Sequence, residues 1–95
     1  MFNKIEEALE AFKLGNPILV VDDESRENEG DIIFAASKAT QEKLNLCAKE
    51  AKGLVCIAID PSIAKRLDLK PVISNHLDPF HTAFYDSIDA MPQYG

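Results

Sequence analysis

Apolar residues at Ile5, Ala8, Leu9 and Phe12 follow the i, i+3, i+4, i+7 spacing of a helix with one buried stripe. Asn3 can cap it, Glu6 and Glu7 suit its positive end, and Lys13 suits its negative end. Gly15 stops it and Asn16-Pro17 turns the chain, so a helix is predicted over 4–13. Two short apolar runs follow, Ile18-Leu19-Val20-Val21 and Ile32-Ile33-Phe34-Ala35-Ala36. Both are rich in β-branched residues or bounded by turn formers, which predicts buried strands over 18–22 and 32–36. Thr40 can cap a second helix over 41–52, with Leu44, Cys47, Ala48 and Ala51 as its stripe and Gly53 as its stop. The run Leu54-Val55-Cys56-Ile57-Ala58-Ile59 predicts a third buried strand over 54–59. Asp60-Pro61 then opens a short helix over 61–67 carrying Ile63, Ala64 and Leu67, and alternation at 83–88 predicts a last strand. Helices alternating with strands give an α/β fold, a layered sandwich with a mixed sheet and covering helices.

Between the first two strands lies Asp-Asp-Glu-Ser-Arg-Glu-Asn-Glu-Gly-Asp, residues 22–31. Six of the ten are carboxylates, Asp22, Asp23, Glu24, Glu27, Glu29 and Asp31, against one cation, Arg26. Carboxylates held a few ångströms apart repel and raise one another's pKa. A loop pinned at both ends by strands cannot relax by spreading, and a hard divalent cation would offset the repulsion. Magnesium is held in this way by one or two carboxylates plus substrate oxygens, and the planar Arg26 fork suits a phosphate or carboxylate. The plainer alternative is a charged surface turn. An EF-hand calcium loop is excluded: taking Gly30 as its glycine puts Ser25 first and Ala36 last, so both end ligands are missing.

Composition narrows the choice. The chain has 95 residues, an ordinary hydrophobic share and a net charge of −6, which argues against nucleic acid or an anionic membrane surface as partner. No apolar run approaches a membrane span or a signal sequence, so the cytoplasm is the expected compartment. Cys47 and Cys56 have no paired histidine spacing for zinc and are expected as free thiols. Cys47 lies on a helix stripe and reads as core. Residues 68–82 break into a long loop that carries His76 and His81, ordinarily solvated, with a metal or proton-transfer role as the alternative.

Val20-Val21-Asp22-Asp23-Glu24 followed by Arg26-Glu27-Asn28-Glu29-Gly30-Asp31 resembles the signature of the 3,4-dihydroxy-2-butanone-4-phosphate synthases of riboflavin biosynthesis. Ile33-Phe34-Ala35-Ala36, Gly53-Leu54-Val55-Cys56, Arg66-Leu67-Asp68-Leu69, Thr82-Ala83-Phe84 and Ser87-Ile88-Asp89-Ala90 resemble segments of that family in the same order. The resemblance implies a lyase that converts D-ribulose 5-phosphate into 3,4-dihydroxy-2-butanone 4-phosphate and formate with magnesium or manganese, working as a homodimer. It implies substrate binding by Arg26, Glu27 and Asp31, and metal binding by Glu27. Catalytic roles are implied for Glu29, Asp31 and Cys56; the alternative for Cys56 is a buried strand residue.

Two departures qualify what is expected. Tyr85 and Asp86 stand where the family resembles Thr-Ala-Phe-Thr-Val-Ser, replacing a threonine and a valine. An unpaired aspartate on an apolar face costs several kcal/mol, so either Asp86 faces water or the strand is weakened. The family's later Thr-Gly-Ile-Ser segment, metal-binding histidine and late catalytic glutamate have no counterpart in these residues. Residues 1–95 are therefore expected to be the N-terminal portion, the first half of a larger single domain, and inactive alone. The alternative is a non-catalytic remnant or oligomerisation module that keeps the acidic metal loop.

Overall fold

A computed structural model describes residues 1–72 and 82–94. His76 and His81, and the roles weighed for them, lie outside the described residues. The fold is α/β, with helices and an antiparallel β-hairpin. By internal contacts the chain divides into two units, Met1–Ile57 and Ala58–Gly95.

The first unit opens with α1, Ile5–Lys13. Its N-cap is Lys4, one residue later than expected, because the Glu7 carboxylate reaches back to accept the Lys4 N–H at 3.2 Å. Asn3 instead donates its side-chain amide to the same carboxylate at 3.4 Å. At the other end Gly15 takes φ +83° and donates to the Phe12 carbonyl at 2.9 Å, while Asn16 donates to Ala11 at 2.9 Å. These two bonds make the left-handed stop read from the sequence. Of the expected stripe, Ala8 and Phe12 are half-buried, whereas Ile5 and Leu9 are exposed.

Strand β1, Ile18–Val21, pairs antiparallel with β2, Gly30–Ile33, in the register Ile18↔Ile33, Leu19↔Ile32, Val20↔Asp31 and Val21↔Gly30. β2 thus starts two residues earlier than its apolar run and ends three residues sooner. The pair after Ile18↔Ile33 would involve Pro17, which has no N–H to extend the ladder. Gly30 fits between two large neighbours: a Cβ there would lie 3.3 Å from Leu19 and 3.4 Å from Val21. α1 packs against β1.

Helix α2, Gln41–Leu46, is capped as expected by Thr40, whose hydroxyl accepts the Lys43 N–H at 3.2 Å. It runs on into a π-helical turn, Cys47–Ala51, that packs against β2. The stop is Lys52, at φ +56°, rather than Gly53. Cys47 is half-buried and Cys56 is exposed; both are free thiols.

The strand expected over 54–59 does not form. Leu54 is 77% exposed, Val55 52% and Ile57 51%. A strand needs a hydrogen-bonded neighbour, and among the described residues none flanks this run. The mixed sheet is likewise reduced, among the described residues, to the antiparallel hairpin.

In the second unit, α3, Pro61–Arg66, begins at Asp60, whose carboxylate accepts the Ser62 N–H at 2.8 Å. Ala64 on this helix is the buried hydrophobic residue of the described chain. The strand expected over 83–88 shrinks to one bridge, Pro71 opposite Tyr85. Asp86 faces water and is satisfied there: its carboxylate accepts the Lys70 N–H at 2.9 Å and its own N–H donates to the Lys70 carbonyl at 2.9 Å. Both alternatives for this residue hold together, a solvated aspartate and a weakened strand.

Candidate active site

The acidic stretch is a hairpin loop, closed by the Asp22 N–H donating to the Glu29 carbonyl at 3.3 Å just beyond the last ladder pair. Within it the Asp23 carbonyl accepts from Arg26 N–H at 3.0 Å and from Asn28 N–H at 3.3 Å. Asn28 stands at φ +52°, a left-handed conformation that asparagine tolerates better than most residues and that returns the chain toward β2. The Asp23 carboxylate accepts the Ser25 N–H at 2.8 Å and the Ser25 hydroxyl, a turn built from an aspartate and its own backbone two residues on.

Asp22 reaches further. One carboxylate oxygen, Oδ2, accepts the Glu27 N–H at 2.9 Å and Arg26 Nη1 at 3.0 Å, and the other, Oδ1, accepts the Glu29 N–H at 2.9 Å. Arg26 Nη1 also meets Glu27 Oε1 at 2.9 Å. The Asp22 side chain is 23% exposed and that of Glu27 32%, against 59% for Arg26. Hydrogen bonds from the Glu29 and Glu27 backbone, in that order, hold the Asp22 carboxyl below the usual carboxylate range, and the Arg26 guanidinium adds to them. The Ser25 hydroxyl and then its N–H do the same for Asp23, partly opposed by the neighbouring Asp22 charge. Backbone N–H groups and one guanidinium therefore offset part of the repulsion that the sequence assigned to a cation.

Of the residues singled out from the sequence, the loop brings Arg26, Glu27 and Glu29 together around Asp22. Asp31 stands two residues on, in β2 opposite Val20, with its side chain exposed. Cys56 lies in the unpaired run after the π turn and is not part of the open depression of about 770 Å³ beside the loop. Phe2, Val21, Asp22, Glu29 and Gly30 are among the residues lining that depression. The sequence does not set Asp22 apart from the other carboxylates of the stretch. A charge run reads as six equivalent carboxylates, and only hairpin closure selects the one that meets amides five and seven residues ahead.

Among the described residues no three of His, Cys, Asp and Glu converge on one point.

An α/β unit carrying an acidic, arginine-bearing hairpin loop is what the elements define, and comparison with known proteins gives it a family. A family model described as 3,4-dihydroxy-2-butanone 4-phosphate synthase matches residues 6–94. The riboflavin biosynthesis protein RibBA of Bacillus subtilis (strain 168) is 52% identical over 89 residues, 94% of this chain and 22% of that protein. RibBA of Aquifex aeolicus (strain VF5) is 46% identical over 94 residues, 99% of this chain and 23% of that protein. A 3,4-dihydroxy-2-butanone 4-phosphate synthase of Wolinella succinogenes is 47% identical over 88 residues, 93% of this chain and 25% of that protein. The crystal structure of RibBX, a two-domain 3,4-dihydroxy-2-butanone 4-phosphate synthase from A. baumannii, superposes with a TM-score of 0.72 at 31% identity, covering 81% of this chain and 23% of that one. The chain belongs to the 3,4-dihydroxy-2-butanone 4-phosphate synthase family. It spans about a quarter of the length of the curated relatives it matches.

Proposed function

We propose that this chain supplies the substrate-and-metal loop of a synthase domain that converts D-ribulose 5-phosphate into 3,4-dihydroxy-2-butanone 4-phosphate and formate, in the cytoplasm. The observation that carries the reading is the Asp22-centred loop, which sets a guanidinium and a carboxylate side by side. Arg26 brings an exposed positive charge to an anionic substrate. Glu27 offers one hard oxygen ligand to magnesium or manganese, and Asp31 takes a hydroxyl of the substrate. A cation bound there supplies charge stabilisation for a developing oxyanion. Removing a proton beside a carbonyl needs a carboxylate within reach of that carbon, the role given to Glu29 and Asp31. Cys56 acts with them only in an assembly that brings residues 54–59 to the loop.

In this reading residues 1–95 are the N-terminal portion of the domain, and alone they bind magnesium weakly, because Glu27 is the one ligand the reading assigns to them and magnesium gives up its hydration reluctantly. They release no formate from D-ribulose 5-phosphate at an enzyme's rate, since even small misplacements of a catalytic constellation cost about a hundredfold. Two measurements on the purified chain test this. In a ¹⁵N spectrum titrated with magnesium and D-ribulose 5-phosphate, shifts are expected at residues 26–31 and absent in Glu27→Gln; an unresponsive loop overturns the reading. A formate assay is expected to stay at background, and robust turnover abolished by Glu27→Gln would show that no further residues are needed.

The second reading, an oligomerisation module that keeps the loop, draws on the exposed apolar run at Leu54, Val55 and Ile57 and on the open edges of the two-stranded sheet. Both readings include a homodimer, and a monodisperse monomer in light scattering at high concentration counts against it.

A further inference from the structure

We propose that Asp22 is the positioning residue of this loop: its carboxylate fixes Arg26 and the backbone of Glu27 and Glu29 before metal or substrate arrives. The inference rests on the reading of Arg26 and Glu27 as binding groups. It adds a residue that touches neither ligand and acts through those that do.

The geometry is economical. Two oxygens of one side chain take three donors from residues four, five and seven positions ahead, at 3.0, 2.9 and 2.9 Å. The Glu27 and Glu29 amides have no other acceptor among the described residues. The neighbouring Asp23 carboxylate holds only Ser25, and the Asp23 carbonyl closes the turn without touching either amide. Asp22 and Glu27 are the half-buried residues of the loop, so the organising contact sits underneath and Arg26 above it is exposed. The Glu27 carboxylate meets the same guanidinium nitrogen, Nη1, so two carboxylates share Arg26. An asparagine cannot do the same work: its amide nitrogen is a donor, and every group that faces this side chain is a donor too.

The test uses the ¹⁵N-labelled chain as it stands, with Asp22→Asn, and with Glu24→Gln as a control that removes a loop carboxylate outside the network. Amide exchange and broadening by manganese are both read residue by residue. In Asp22→Asn the Glu27 and Glu29 amides are expected to exchange about tenfold faster or more, as for loss of a charge-assisted hydrogen bond. The β1 and β2 ladder amides keep their protection. The manganese concentration that half-broadens the Glu27 signal rises by about 10- to 100-fold, the usual cost of removing a group that orients a ligand. Glu24→Gln leaves the exchange rates as they are. Unchanged exchange at Glu27 and Glu29 in Asp22→Asn overturns the proposal. So does equal loss of protection along the whole ladder, which would make Asp22 a staple of the hairpin rather than a positioning group. If manganese leaves the unmutated loop sharp, the metal reading fails, and the exchange data still decide the role of Asp22.

Discussion

The loop at residues 22–29 and the run at 54–59 are opposites in composition, and their structures invert what composition suggests. The loop is dense in like charge, yet it is ordered by hydrogen bonds from its own backbone to Asp22 and Asp23. The run is apolar and rich in β-branched residues, yet Leu54, Val55 and Ile57 stand half or more exposed with no strand beside them among the described residues. The loop's partners lie within seven residues, so closing it costs little chain entropy. A buried strand draws its partners from distant sequence, and without them its side chains have nothing to pack against. Local polar satisfaction is self-contained, whereas apolar burial is a property of the whole domain.

Substitution at Asn28 tests the local side of this contrast and carries the largest expected effect. With φ at +52°, Asn28→Ala is expected to destabilise the hairpin by about 1 kcal/mol, and Asn28→Gly to be neutral or better, read from thermal or urea unfolding. Equal behaviour of the two variants would mean the left-handed turn is not what orders the loop.

Leu54→Ala probes the other side. In a packed core a Leu→Ala change costs about 2–5 kcal/mol. Here, with Leu54 at 77% exposure, the expected change is within about 0.5 kcal/mol. A loss of core size would show that the run is buried in solution, by self-association if the loss depends on protein concentration.

Acid gives the smallest and most local effect. Asp23 has its pKa lowered by the Ser25 hydroxyl and N–H, so its turn is fully in place above the ordinary carboxylate value of 3.8. A group whose pKa is depressed on folding loses its contribution as pH falls through the lower folded value. The Ser25 amide resonance is therefore expected to titrate with a midpoint below 3.8, while the signals of Leu54 and Val55 stay still over the same range. A Ser25 midpoint at or above 3.8 would remove the aspartate turn from the account of loop order.

Much of this could be read from the residues in order. The period of the first helix, its glycine stop, the Thr40 and Asp60 caps and the two strands around the acidic stretch all depend on neighbours a few positions away. The motif Arg26-Glu27-Asn28-Glu29-Gly30-Asp31 points to the family that the family model matches. What the sequence determined alone is therefore what short-range chemistry decides: caps, turns, periodicity, and the identity of the groups in the loop. The tertiary structure decided which carboxylate accepts the Glu27 and Glu29 amides, where β2 begins and ends, that Asp86 faces water, and that residues 54–59 have no strand partner among the described residues. Each of those depends on which distant group, if any, comes to lie opposite, and a hydrogen bond or a buried contact has no value until its partner is in place.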